Sequence, residues 1–380
     1  MNRLCYSTNV HPAEDLPGIL RQLDTCAGPI RERTGFDRLG LGLWLAADVA
    51  SALAADPSLL RRLRAELDAR DLSVLALNAF PYGGFHQRVV KHAVYRPDWT
   101  EPARAAYTAD CATVLAGLLP DDAEGGSIST LPLAWRSPWS PAADRAAEQA
   151  LRRTAAALRT VSARAGRPIR LAVEPEPGCV LDTVEDAVGW LATRADLEFV
   201  GLCLDTCHLA VSFADPERTV AAVERAGLRV VRIQASAALH VDDPNDPAAR
   251  RLLADYAEPR YLHQVRESDG AGRVLAADDL PEALDRLPGR WPWRVHFHVP
   301  LHAAPPAPLR ATTDVLRRAV AAVRERTVIE VETYTWPVLP GRPIGAPTGA
   351  PTDVPVDIPA GIAAELVWAE RELIGERADR

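Results

Sequence analysis

IRLAVEPEP (169–177) and FVGLCLDTCHLA (199–210) decide the fold. Each is a short apolar run that ends on a residue able to ligate a metal or move a proton. Glu174 ends the first; Asp205 and His208 end the second. LRVVRIQAS (228–236) repeats the pattern with Gln234, and TVIEVETYTW (327–336) repeats it with Glu332. Helix-like stretches separate the four runs. Consecutive parallel strands of a barrel share one end, so these polar tips are expected to converge on one mouth.

Working outward, similar runs fall at Leu4–Thr8, Leu39–Leu45, Leu72–Asn78 and Ser127–Leu133, making eight with Ile169–Glu174, Val200–Asp205, Leu228–Ala235 and Thr327–Thr333. Between most of them lie Ala/Leu/Arg-rich segments such as SLLRRLRAELDAR and PERTVAAVERAG, with Asp182 or Asp215 placed to cap helices and Gly227 to end one. Continuous apolar strands alternating with helices mean a parallel sheet covered on both faces. Eight such units predict an α/β chain folded as a (β/α)8 TIM barrel over 1–338. A doubly wound open sheet is the weaker alternative, because no GxGxxG follows the first strand.

Residues 239–308 are too long for an ordinary connection after the seventh strand, and WRVHFHVPLH (293–302) adds a ninth strand-like run. An insertion with its own hairpin, lying over the mouth, is expected there. Residues 339–360 are rich in Pro and Gly and read as an extended segment; residues 361–380 read as a C-terminal helix.

The formal charge of -8 argues against nucleic acid as a partner, since phosphate binding needs a basic field. No run of about 18 apolar residues suggests a membrane span, and the start MNRLCYSTNVHP lacks a signal-peptide pattern. The six cysteines show no CxxC pair and read as reduced thiols in a cytoplasmic protein. Homo-oligomerisation stays open. Of 43 basic residues only Lys91 is lysine, which singles it out for work that arginine cannot do.

Strand side chains alternate, so Glu174 and Glu176 share a face, as do Glu330 and Glu332. The expected metal set is Glu174, Asp205, Gln234 and Glu332 around one divalent cation, Mn²⁺, Mg²⁺ or Zn²⁺; the amide of Gln234 is the weakest of the four donors. Two carboxylates from opposite sides of a barrel, with a cation between them, suit proton transfer at a carbon next to a carbonyl. Glu174 and Glu332 are therefore the expected acid and base, and His208 positions a hydroxyl. The polar and aromatic loop 78–99 suits a small polyhydroxylated metabolite. Asn9, His11, Asn78, His86, Lys91, Glu176 and His298 are its expected contacts. His296, His298 and His302 read as a pocket wall in preference to a second metal cluster.

At these residues the chain resembles the xylose-isomerase-like TIM-barrel superfamily of sugar isomerases, epimerases and endonuclease IV-type proteins. That superfamily carries Glu, Asp, His and Glu at the ends of strands five to eight. Glu174, Asp205 and Glu332 match in order, His208 matches a further His three after the Asp, and Gln234 stands where His is usual. More narrowly, CYSTNVHP, NAFPYGGFH, VYRPDW, GSISTLPL, EPEPGCVLDT, LDTCHLAV, HFHVPL and VETYTW are similar to the bacterial EboE-type metabolite traffic family, over about residues 1–340. The ordered strand tips point to a metal-dependent isomerase or epimerase acting on a sugar, cyclitol or related polyol, and the narrower resemblance implies a role in a secondary-metabolite pathway. A non-catalytic metabolite-binding and transfer barrel is the second reading. Phosphodiester hydrolysis in the endonuclease IV manner is the third, and it is disfavoured by the negative charge.

Overall fold

The computed structural model describes residues 4–340 and 357–375. Seven parallel strands come first: β1 (Leu4–Ser7), β2 (Leu39–Trp44), β3 (Leu72–Asn78), β4 (Gly126–Thr130), β5 (Ile169–Val173), β6 (Val200–Asp205) and β7 (Val230–Ala235). Five short strands follow: β8 (Leu239–Val241), β9 (Val265–Ser268), β10 (Val274–Ala277), β11 (Trp293–Val295) and β12 (Arg310–Ala311). The last is β13 (Val328–Val331). Strands β1 to β7 and β13 close into a barrel in which β13 pairs with both β7 and β1. All eight expected runs are barrel strands. Several stop a residue or two earlier than the apolar pattern does. Glu174 and Glu332 each lie one residue past a ladder, yet their N–H groups still donate to Thr130 O and Ala235 O.

Local chemistry explains the covering helices. Pro141–Ala165 starts at Ser140, whose hydroxyl accepts from Ala143 N, and ends at Gly166 with φ of 69°. Asp215 caps Pro216–Arg225 as expected. Asp182 does not cap the helix after it. Thr183 and Asp186 form a capping box there, and Asp182 instead accepts from Gly178 N and pairs with Arg266.

The segment between β7 and β13 forms a five-stranded sheet, ordered β10-β9-β11-β8-β12, in which β9 and β10 make the expected hairpin. Only Trp293–Val295 of the ninth run is strand; His296 and His298 lie just past its end. The C-terminal helix, Ile358–Ala369, begins before the expected 361 because Asp357 accepts from Ala360 N. It is seated by Glu365, a buried carboxyl that accepts from Leu301 N, Thr333 Oγ1 and Trp336 Nε1. The rest of the expected extended segment, residues 341–356, lies outside the described residues, as do 376–380.

The barrel interior holds one fully buried ion pair. Arg232 Nη2 lies 2.7 and 2.6 Å from the two carboxylate oxygens of Glu330, and its Nη1 donates to Leu77 O. Gly42 makes room for it, since a Cβ there would lie 2.2 Å from Glu330 Oε2. Glu330→Ala removes the counter-charge and strands a buried guanidinium. It is expected to cost about 3–5 kcal/mol of stability, measured by urea denaturation. A cost below about 1 kcal/mol would show that the pair does not hold the barrel.

Candidate metal centre

Glu174, Asp205 and Glu332 meet at the carboxyl ends of the strands. Ligand oxygens of all three lie within 4.8 Å of one another, and all three residues are buried. Neighbours tie part of this set and leave part bare. Glu332 Oε1 accepts from Asn9 Nδ2 (2.7 Å) and Asn78 Nδ2 (3.1 Å). Asp205 Oδ1 accepts from His208 N and Ser236 Oγ, each at 2.9 Å. The buried atoms Glu332 Oε2, Asp205 Oδ2 and Glu174 Oε2 have no hydrogen-bond partner.

A fourth bare donor joins them from the inserted region. His298 Nδ1 bonds Glu332 O at 2.7 Å; a carbonyl only accepts, so Nδ1 carries the proton and Nε2 holds a lone pair. That Nε2 is buried, without a partner, and 3.9 Å from Asp205 Oδ2. Three carboxylates and an imidazole, each with a buried atom lacking a partner, fit a divalent cation.

Gln234, the expected fourth ligand, is turned away. Its amide oxygen accepts from Cys203 Sγ at 3.1 Å, one step down the neighbouring strand. Strand spacing put Gln234 in line with Asp205, which is its ladder partner, but could not show which way the amide turns.

The electrostatics follow from burial. Desolvation, then mutual repulsion with Glu332 and Asp205, pushes Glu174 well above the usual carboxylate range. Desolvation and the charges of Glu330 and Asp205 do the same to Glu332. Glu176 is raised to about 8, chiefly by desolvation, against the pull of hydrogen bonds from Tyr95 and Gln264. Burial lowers His208 to about 4 and also lowers His296 and His298.

One pocket opens onto the cluster, with about 530 Å³ of empty space including its mouth. Of the expected substrate contacts, Asn9, Asn78, Lys91, Glu176 and His298 line it. His11 does not; it packs edge-on against Tyr6 in a separate crevice, because the turn Thr8–Val10 carries it behind the first strand. His86 is not among the lining residues either; its ring bonds Asn9 O at 2.6 Å and steadies that turn. Lys91 Nζ pairs with Asp279 of the inserted region at 2.5 Å, from a backbone at φ of 40°. Tyr95, Tyr261 and Tyr334 add walls that no spacing rule identified, although Tyr334 lies two residues after Glu332.

Residues 32–288 match the family described as the xylose isomerase-like TIM barrel. The chain belongs to that family. No curated protein matches it. Among solved structures of this barrel type, an Anabaena variabilis protein assigned as a sugar phosphate isomerase/epimerase is 14% identical, with 99% of each chain covered and a TM-score of 0.51. D-psicose 3-epimerase of Clostridium cellulolyticum H10, solved with D-tagatose, is 12% identical over 97% of this chain and 99% of its own, with a TM-score of 0.48. IolI, solved with a zinc atom, is 12% identical over 98% and 96%, with a TM-score of 0.47. At these identities the likeness establishes the fold alone.

The raised carboxyls of this xylose isomerase-like barrel set its response to pH. Glu176 titrates near 8 when folded and near 4.3 when unfolded, so the folded state keeps a proton that the unfolded state has lost. That contribution declines as pH rises from about 4.3 to about 8. Above about pH 7.5, a full unit beyond the unfolded imidazole pKa, the histidines are nearly all neutral in both states and add little slope. Cation-free protein is therefore expected to lose stability between about pH 7.5 and 8.5, by up to about 1.4 kcal/mol per pH unit for each such carboxyl. Urea midpoints at the two ends of that range check this; a flat or rising profile contradicts it.

Proposed function

We propose that this chain is a divalent-metal-dependent isomerase or epimerase acting on a sugar, cyclitol or related small polyol. The observation that carries the reading is the convergence of Glu174, Asp205 and Glu332, each with a bare oxygen, at one point, where Glu174 and Glu332 line a pocket. The family match and the Anabaena neighbour support the same class. The EboE-like motifs support a role in a secondary-metabolite pathway, and the six free cysteines support a cytoplasmic setting. Among the described residues no helix is long and apolar enough to cross a membrane.

Glu174, Asp205, His298 and Glu332 would hold the cation, with His298 in the place expected for Gln234. The carboxylate-rich set suits Mn²⁺ or Mg²⁺, and the imidazole admits Zn²⁺. When bound, the cation supplies a Lewis acid to oxygens on neighbouring substrate carbons.

The chain's own groups do the rest. Glu174 and Glu332 stand at the ends of strands separated by β6 and β7, so they address a bound carbon from different sides. One removes a proton beside the carbonyl and the other returns it. Asn9 and Asn78 hold Glu332 by one oxygen, which fixes the direction of the other. Tyr95, Tyr261 and Tyr334 give the pocket apolar faces on which a sugar ring can lie, and their burial keeps water from competing.

Incubating candidate ketoses and inososes with cation-loaded protein in D₂O is expected to place deuterium on carbon. Glu174→Gln or Glu332→Gln should lower the exchange rate about 10²–10⁴-fold. Binding of polyols without any exchange would favour the carrier reading. His298→Ala is expected to weaken cation binding by more than about 100-fold, beyond the 10–100-fold typical of an outer partner, while Gln234→Ala leaves it within that range. Equilibrium dialysis decides between them, and equal losses would remove His298 from the ligand set.

A further inference from the structure

Behind the cluster of carboxylates lies a further carboxylate that never reaches the pocket. Glu365, on the C-terminal helix Ile358–Ala369, is fully buried and is not among the residues lining the cavity. Its Oε1 accepts from Leu301 N at 2.9 Å and from Thr333 Oγ1 at 2.7 Å, and its Oε2 accepts from Trp336 Nε1 at 2.8 Å. Leu301 comes three residues after His298, and Thr333 directly follows Glu332. One side chain therefore ties together the two segments that bring His298 and Glu332 to the cation site.

Neither segment is held by a strand ladder at that point. His298 lies past the end of β11, and Glu332 lies past the end of β13. They are joined to each other by the bond from His298 Nδ1 to Glu332 O and by a second from Thr335 Oγ1 to His298 O. Glu365 closes this set from the side away from the pocket. The helix is fitted to its seat: a Cβ at Gly361 would collide with the ring of Trp336, and His302 lies nearly parallel to that ring.

Packing alone does not call for a carboxylate here. Burying one is costly, and its partners are three neutral donors with no cation among them. Desolvation raises its pKa to about 7 against the pull of those bonds. An apolar side chain would seat the helix at lower cost. What the carboxylate adds is two oxygens that accept several bonds at once and fix the directions of donors on separate segments.

We propose that Glu365 is a positioning residue of the metal centre, which sets the spacing of His298 and Glu332 and so links cation affinity to the seating of the C-terminal helix. The inference rests on the reading of Glu174, Asp205, His298 and Glu332 as the cation's ligands. Linkage is reciprocal, so a cation bound at the far side of Thr333 also holds the helix in place.

Full-length protein stripped with chelator and titrated with Mn²⁺ in equilibrium dialysis tests it. Glu365→Gln is expected to bind Mn²⁺ about 10–100-fold more weakly than wild type, the range of an outer partner. The amide nitrogen of that variant opposes an N–H donor of Trp336 or Leu301. Adding Trp336→Phe removes the opposing donor, leaves the amide oxygen to Leu301 and Thr333, and should restore most of the lost affinity, although loss of the indole lowers the urea midpoint further. A purely structural role predicts the opposite order, with the double variant the weaker binder. Amide hydrogen exchange gives a second readout that needs no variant: Mn²⁺ should slow exchange in 358–369 of wild type more than in the outer helix 141–165. Should Glu365→Gln fail to fold, this comparison decides, and equal slowing in the two helices overturns the link. Equal Mn²⁺ affinity in wild type and Glu365→Gln overturns the role of Glu365 and leaves the metal centre standing. Wild type that binds no Mn²⁺ removes the metal centre and this role together.

Discussion

Closing eight parallel strands into a ring forces Glu174, Asp205 and Glu332 to share a few ångströms of water-poor space. Like charges so placed cannot all stay ionised without a positive partner. The guanidinium beneath them cannot serve, because Arg232 is already held by both oxygens of Glu330 and by Leu77 O. Much of the surrounding structure answers this single constraint. Asn9, Asn78 and Ser236 each satisfy a carboxylate oxygen, and the backbone of Glu332 fixes His298 so that its free nitrogen points inward.

The inserted region does more than cover the mouth. Trp44 at the end of β2 and Phe85 and Val90 from the loop after β3 pack with Tyr261 of the insertion and Tyr334 past the last strand. Lys91 joins the two sides twice, through its ammonium to Asp279 and through its backbone N–H to Arg260 O. Its left-handed backbone costs on the order of 1–2 kcal/mol and persists because both ends of the residue are anchored. The compact ammonium reaches Asp279 from that cramped position. The chain's single lysine is thus explained as a fastening between loop and insertion, on the pocket wall.

The barrel was legible because it is local. Most strands are continuous apolar runs, many helices have a nearby cap or stop, and the polar tips of β5, β6 and β13 lie within a residue or two of the last ladder pair. Glu174, Asp205 and Glu332 could be read for that reason. His298 could not be given its place, because it hangs beyond β11, in an antiparallel sheet whose register no local pattern reveals. Gln234 looked equivalent by spacing, and a side-chain torsion toward Cys203 took it out. His11 and His86 follow strands and loops that do reach the mouth, but the chain turns before either ring arrives.

Barrel enzymes commonly accept new loops at their carboxyl end because the strands alone carry the chemistry. That freedom is curtailed here. His296 and His298 hang from the inserted sheet, and Tyr261, Leu262 and Asp279 close against the barrel's own loops, so 239–308 builds part of the pocket itself. A graft that trimmed it would remove donors as well as shelter. The loop after β3 meets that same insertion through Phe85, Val90 and Lys91, so a change of length on either side would have to be matched on the other.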